Sequence, residues 1–339
     1  MTENILAAVE ALLQPSAALV AEMAALEGDI LILGVGGKIG PSLAKLAKQA
    51  IDKSGVPRKV IGVSRLTEPG LKEQLEQDGI ETIAADLMNE EDLAALPDVK
   101  NVLYLAGTKF GTTGKEAFTW AMNAYLPGRV AEKYRNSRIV VYSTGNVYPL
   151  TPVLAGGAAE SMAPAPVGEY GQSCLGRERV FQHFSGKYNT PLLIYRLNYA
   201  NDLQYGVLLE IAKSVRDGKP IDLRMGHVNV IWQGDANEMA LRSFTHCAVP
   251  AKLLNITGPE TAPVRWIAGE FGRIFGKAPV FLHEEETTAL LSNAAESFRL
   301  FGYPKVSLKE MIGLTAAWME QGGRTISKAT HFQEREGQF

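Results

Sequence analysis

The run "DILILGVGGKIG", Asp29 to Gly40, constrains the fold more than any other stretch. Four consecutive large apolar residues, Ile30 to Leu33, read as a strand buried on both faces, and a glycine cluster follows at once. The next segment, "GPSLAKLAKQAIDKSG", spaces its apolar residues three and four apart, as a helix does. Strand, glycine turn and helix in this order put Gly34, Gly36, Gly37, Ile39 and Gly40 where a backbone turns tightly and approaches a pyrophosphate, with the helix amides behind it.

The same rhythm continues. "KVIGVSR", "GIETIAADL", "NVLYLAG", "SRIVVYSTG" and "TPLLIYRLN" read as further strands, with helical patterns such as "KEAFTWAMNAYLPGRVAEKYRN" between many of them. Continuous apolar strands alternating with helices imply an α/β fold, a Rossmann-like doubly wound parallel sheet whose ligands bind beyond the strand C-termini. After Asn201 the rhythm loosens, which predicts a smaller C-terminal substrate-binding lobe. The expected division is a helical extension over 1–28, a dinucleotide-binding domain over 29–200 with a return segment over 228–258, the lobe over 201–227 and 259–330, and a polar tail over 331–339. In the extension, Pro15 interrupts an apolar run too short to span a membrane. The reading there is two short helices, the second capped by Ser16, packed on the first strand.

Charge narrows the partners. A net charge of -3 and a pI near 6.0, with no Lys/Arg-rich run, give no field for nucleic acid or anionic lipid, so the expected partner is a small-molecule substrate. Two cysteines, Cys174 and Cys247, and five scattered histidines form no disulfide framework or metal-ligand pattern, so no metal is expected. This usage fits a reducing compartment, most simply the cytoplasm.

The second strand ends in Ser64 and Arg65, where an NAD-binding fold usually has a carboxylate for the ribose 2′-hydroxyl. A hydroxyl and a guanidinium would bind a 2′-phosphate instead, so NADP is expected over NAD; the competing reading makes Arg65 a solvated strand-end charge. Asp86 either hydrogen-bonds an adenine amino group, with Leu87 against the ring, or caps the helix of "NEEDLAAL". Ala106 and Gly107 are small residues beside the cofactor, with Lys109 just beyond.

From roughly Asp29 to Ile312 the chain resembles the extended short-chain dehydrogenase/reductase family, which contains nucleotide-sugar epimerases and dehydratases. The likeness is carried by Gly34-x-x-Gly37-x-x-Gly40, "YLAGTK", Asn123 in "WAMNAYLPG", "YSTGNVYP", "EYGQSCLGRE", "YRLNYA", "VNVIWQGDANEMAL" and "LLNITGPE". It implies that Tyr170 exchanges a proton with a substrate oxygen while nicotinamide exchanges a hydride with the adjoining carbon. It further implies that Thr144 holds the same oxygen, and that Glu178, Arg196, Asn198 and Asp235 match family positions. Many relatives dimerise through the helices corresponding to those around Asn123 and Tyr170, which implies a homodimer.

The resemblance also exposes departures. The family lysine four residues after the tyrosine, which lowers the phenol pKa, is matched here by Cys174. Three readings follow: Lys109 substitutes for it, Tyr170 acts mainly as an acid in reduction, or hydride chemistry is lost and the protein binds a dinucleotide without catalysis. Gly145 and Asn146 stand where dehydratases carry an acidic pair, which argues against sugar dehydration. Cations for a substrate diphosphate are not evident, which favours a free sugar or sugar acid over a nucleotide sugar, with Asn198, Arg224 and His227 as candidate contacts.

Overall fold

The computed structural model describes residues 2–109, 113–326 and 330–338. Seven parallel strands make the central sheet: β1 (Ile30–Leu33), β2 (Val60–Ser64), β3 (Glu81–Ala84), β4 (Asn101–Tyr104), β5 (Arg138–Thr144), β6 (Leu192–Leu197) and β7 (Lys252–Ile256). Their order across the sheet is β7-β6-β5-β4-β1-β2-β3. Ile30 stands in register with Val60 on one side and Asn101 on the other, so β1 and β4 are neighbours and the winding reverses between them. That reversal opens a crevice beyond the strand C-termini, where this fold class binds ligands.

The described helices are α1 (Thr2–Leu12), α2 (Ala17–Ala25), α3 (Gly40–Ser54), α4 (Leu71–Gln77), α5 (Glu90–Ala95), α6 (Glu116–Trp120), α7 (Leu126–Lys133), α8 (Gly168–Tyr188), α9 (Val207–Asp217), α10 (Gln233–Arg242), α11 (Val264–Phe275), α12 (Ala295–Phe301) and α13 (Leu308–Glu320). A single π-helical turn, Ala121–Tyr125, joins α6 to α7.

Successive strand residues feed opposite faces. Ile30 and Ile32 pack with Leu19 and Met23 of α2, Leu43 and Ala47 of α3, and Met239 of α10. Leu31 and Leu33 pack with Leu93 of α5, Leu126 and Val130 of α7, and Phe181 of α8. With both faces covered, alternation disappears from the strands, which is why they read as unbroken apolar runs. Ser16 caps α2 by accepting from the Leu19 amide and donates to Glu238 of α10 at 2.5 Å, fixing the N-terminal helices to the sheet layer.

A second core lies under α9, α11 and α13, where Leu208, Ile211 and Val215 meet Ile267, Phe271, Met311 and Ile312. The segment after Thr330 corrects the expectation of a polar tail. Phe332 is buried in this second core, the Thr330 hydroxyl donates to Glu210 at 2.7 Å, and Arg335 reaches the Thr288 carbonyl and the Glu286 carboxylate. One aromatic anchor and a basic residue suffice to dock a stretch whose average composition is polar.

Candidate active site

The cofactor-side cradle is built by close approach. Gly34 has φ +94, and a Cβ there would lie 2.7 Å from the Ala106 amide nitrogen. A Cβ on Gly40 would run into the Val35 carbonyl. Helix α3 starts after Ile39 with no side-chain cap, so its first amides remain for an anion, and the loop fits a pyrophosphate by that test. Gly37 lies within the same turn, its amide donating to the Gly34 carbonyl at 3.2 Å. Ser64 stands over Gly36, where a Cβ would come within 2.9 Å of its Oγ, and this hydroxyl accepts from the Leu66 amide. Arg65 is exposed at the same strand end.

Asp86 is also exposed and accepts from the Met88 amide at 3.0 Å, while Leu87 is buried. Its reading as a helix cap is corrected: Asn89 caps α5, accepting from the Glu91 and Asp92 amides. Four residues, Ala85 to Met88, separate β3 from the Asn89 cap, so the turn at Asp86 comes before the helix start.

Between the cradle and the lobe lies a cavity of about 270 Å³. Its lining includes Gly107, Lys109, Thr144, Tyr170, Arg177 and Asn198. Tyr170 sits in the first turn of α8 with its phenol in hydrogen-bond contact with Thr144. Thr144 ends β5, where its Oγ1 donates to Asn146 Oδ1 at 3.0 Å and accepts from the Asn146 amide at 3.1 Å. Burial pushes the Tyr170 phenol above its ordinary range; Cys174 adds to the rise, and Arg177 and Thr144 oppose it. Cys174 is fully buried one turn along α8, and burial raises its thiol too, so it is neutral there.

Lys109, in the loop after β4, carries its Nζ 5.5 Å from the centre of the Tyr170 ring. Burial lowers its pKa to about 8. Ala106 is buried beside Gly34. Gly107 leaves room for a guanidinium, since a Cβ on it would meet Arg177 Nη2. The π-helical turn delivers buried Asn123, which clamps the β4 loop by accepting from the Thr108 amide at 2.9 Å and donating to its carbonyl at 2.8 Å.

Asn198 donates to Asn229 at 2.9 Å on the lobe side of the cavity. Arg224 and His227 do not line it. Arg224 is exposed and held by Asp222 through bonds of 3.0 and 2.7 Å, and His227 pairs with Pro263 in a short antiparallel ladder of the lobe. Among the lining residues that the sequence did not single out are Arg177, Lys38 and Tyr205. Lys38 projects from the glycine loop with its Nζ 3.1 Å from the Tyr205 ring centre, bridging cradle and lobe. Arg177 lies on the helix face of Tyr170, seven residues on, and that spacing was the available clue.

A family model described as "NAD dependent epimerase/dehydratase family" matches residues 30–246, more than half of the chain. The chain belongs to that family. No curated protein matches the sequence. Solved structures match the fold. UDP-glucuronic acid 4-epimerase from Bacillus cereus, in complex with UDP-glucuronic acid and NAD, superposes with a TM-score of 0.70 at 19% identity over 86% of this chain and 99% of that one. UDP-glucose 4-epimerase from Thermus thermophilus, with NAD, gives 0.70 at 18% identity over 86% and 99%. The dTDP-glucose 4,6-dehydratase from Bacillus anthracis, also with NAD, gives 0.71 at 17% identity over 86% and 96%.

These findings correct the expected substrate class and its alternative. The family is one of NAD-dependent epimerases and dehydratases, and the matched structures are of enzymes that act on nucleotide sugars, not on free sugars or sugar acids. Nor do they favour a protein that only binds a dinucleotide. The absence of cations at two places in the sequence does not bear on other loops, and Lys38 and Lys109 line the cavity from elsewhere in the chain.

Proposed function

We propose that the protein is a nicotinamide-dependent enzyme that transfers a hydride to and from a sugar carbon of a nucleotide sugar, with Tyr170 moving the proton of the attached oxygen. The observation that carries this is the contact of the Tyr170 phenol with Thr144 inside the cavity that adjoins the glycine cradle. A bound nicotinamide would supply the hydride acceptor and donor. The residues that would hold the cofactor are Gly34, Gly37, Ile39 and Gly40 at the pyrophosphate, Ser64 and Arg65 at the adenosine ribose, Asp86 and Leu87 at the adenine, and Ala106, Gly107 and Lys109 along the β4 loop.

Burial raises Tyr170, so the phenol must first lose its proton; it then takes the proton of the sugar hydroxyl in the oxidative half and returns it to the carbonyl oxygen in the reductive half. Thr144 accepts and orients the same hydrogen-bond chain through Asn146. Neither residue after Thr144 is a carboxylate, so no acid–base pair for eliminating water follows it, and oxidation and reduction at one carbon, as in epimerisation, is the favoured reaction. Exposed Arg65 beside Ser64 supports acceptance of a 2′-phosphate, hence NADP alongside NAD. Exposed Phe118, Trp120 and Tyr125, on and beside the π-helical turn, support a homodimer through this face.

The test supplies NAD or NADP with UDP-glucose, UDP-glucuronic acid and dTDP-glucose, and follows epimers by proton NMR and the nicotinamide absorbance band. Tyr170→Phe should lower conversion by about 10²–10⁴-fold with cofactor binding retained. Conversion unchanged in Tyr170→Phe, or none with any of these sugars, overturns the reading.

A further inference from the structure

A buried phenol gives up its proton near neutral pH only with a cation close by. One turn beyond Tyr170, position 174 carries a neutral thiol. The next residue on that helix face is Arg177. Seven residues are about two turns, and helical side chains lean toward the N-terminus, so a long arginine recovers much of that rise toward Tyr170.

The guanidinium of Arg177 is buried and ends at the cavity wall, beside Gly107. Its acceptors are neutral: the Tyr142 carbonyl at 2.9 Å and Asn123 Oδ1 at 2.8 Å. The adjacent carboxylate does not neutralise it, because Glu178 is engaged by both arms of Arg196 at 2.9 and 2.6 Å. Arg177 forms no ion pair among the described residues, and its Nε–H is buried without a hydrogen-bond partner. Holding an uncompensated cation out of water is costly, and here it is held at the wall of the Tyr170 cavity.

We infer that Arg177 is a positioning residue that keeps a permanent positive charge near the Tyr170 hydroxyl, replacing a cation at position 174. The inference deepens the proposed hydride-transfer reading and rests on it. The titratable groups facing Tyr170 are Cys174 and Arg177 from its own helix and Lys109 from the loop after β4; Thr144 and Asn146, on the β5 side, do not titrate. Tyr104 of β4 lies behind Arg177, its ring centre 5.9 Å from the guanidinium carbon. Lys109, with a pKa of about 8, carries its charge at neutral pH but loses it as pH rises above 8, and a guanidinium does not.

The test reads the phenol itself and needs no turnover. Residue 170 is replaced by 3,5-difluorotyrosine, which titrates at lower pH than tyrosine, and its midpoint is followed by fluorine NMR in the full-length protein. R177Q, which keeps a donor for the Tyr142 carbonyl, should raise the midpoint by about one pH unit or more. R177K should hold it, and the double variant C174K/R177Q should bring it back. Arg177→Met is a second neutral variant should R177Q not fold by circular dichroism. An unchanged midpoint in the neutral variants, or a phenol that titrates in none of the proteins, overturns the inference. A midpoint that moves as expected in a protein without turnover overturns the proposed function alone.

Discussion

Glu178 and Arg196 meet as a two-armed ion pair, 2.9 and 2.6 Å, with neither side chain exposed. The pair joins α8 to β6, and Ser143 donates to the same carboxylate at 2.6 Å while Arg196 donates to the Tyr148 hydroxyl at 2.6 Å. Removing one partner leaves a buried charge alone, at a cost of about 3–5 kcal/mol. E178Q should therefore lose that much stability in urea unfolding. A double replacement of Glu178 and Arg196 by methionine should lose much less, because both charges leave together.

Arg65 tests the cofactor. A charge-assisted bond to a 2′-phosphate contributes about 1.5–3 kcal/mol, so Arg65→Ala should weaken NADPH binding by about tenfold to a hundredfold. NADH binding should stay within twofold or so, because the adenosine 2′-hydroxyl offers no charge to lose. Fluorescence titration of the two reduced cofactors gives both constants. Equal weakening of the two, or of neither, removes Arg65 from the ribose site.

The thiols give a prediction of inertness. Burial raises Cys174, and it pushes Cys247 up to about 12, with the Cys247 thiol donating to the Ile139 carbonyl at 3.3 Å. Attack requires the thiolate, so neither should react with a disulfide reagent at pH 7.5 within minutes, and both should react in urea. A rapid native reaction at Cys174 would mean that the α8 surface opens.

Physical reasons separate what could be read from the chain from what could not. Residues of β1, β2 and β5 announced themselves because both faces of the sheet are covered, and Gly34 and Gly40 because a Cβ at either would strike backbone. The Ser16 cap was local and therefore visible. Arg177 was not, because a lone arginine on a helix ordinarily marks the solvent face, and only packing against Asn123 and Tyr142 shows otherwise. Lys38 hid inside a glycine motif whose other residues drew the reading. Arg224 misled for the opposite reason. It satisfies itself within two residues, through Asp222, an arrangement that composition does not distinguish from a ligand contact.

Lys109 provides the pH test. Burial brings its pKa to about 8 from the usual 10.5 of a lysine. Below pH 8 the native state carries the ammonium against that burial, and the full penalty is present. As pH rises from about 8 toward 10, the native protein has released a proton that the unfolded chain still binds, so stability increases with pH through this window. Lys109→Met removes the penalty. The variant should be more stable than the parent by on the order of 2 kcal/mol at pH 7, and the gap should shrink as pH rises toward 10. Urea unfolding at a series of pH values measures it. A gap that is constant with pH would show that Lys109 keeps its ammonium in the fold, and it would then remain a second permanent cation beside Tyr170.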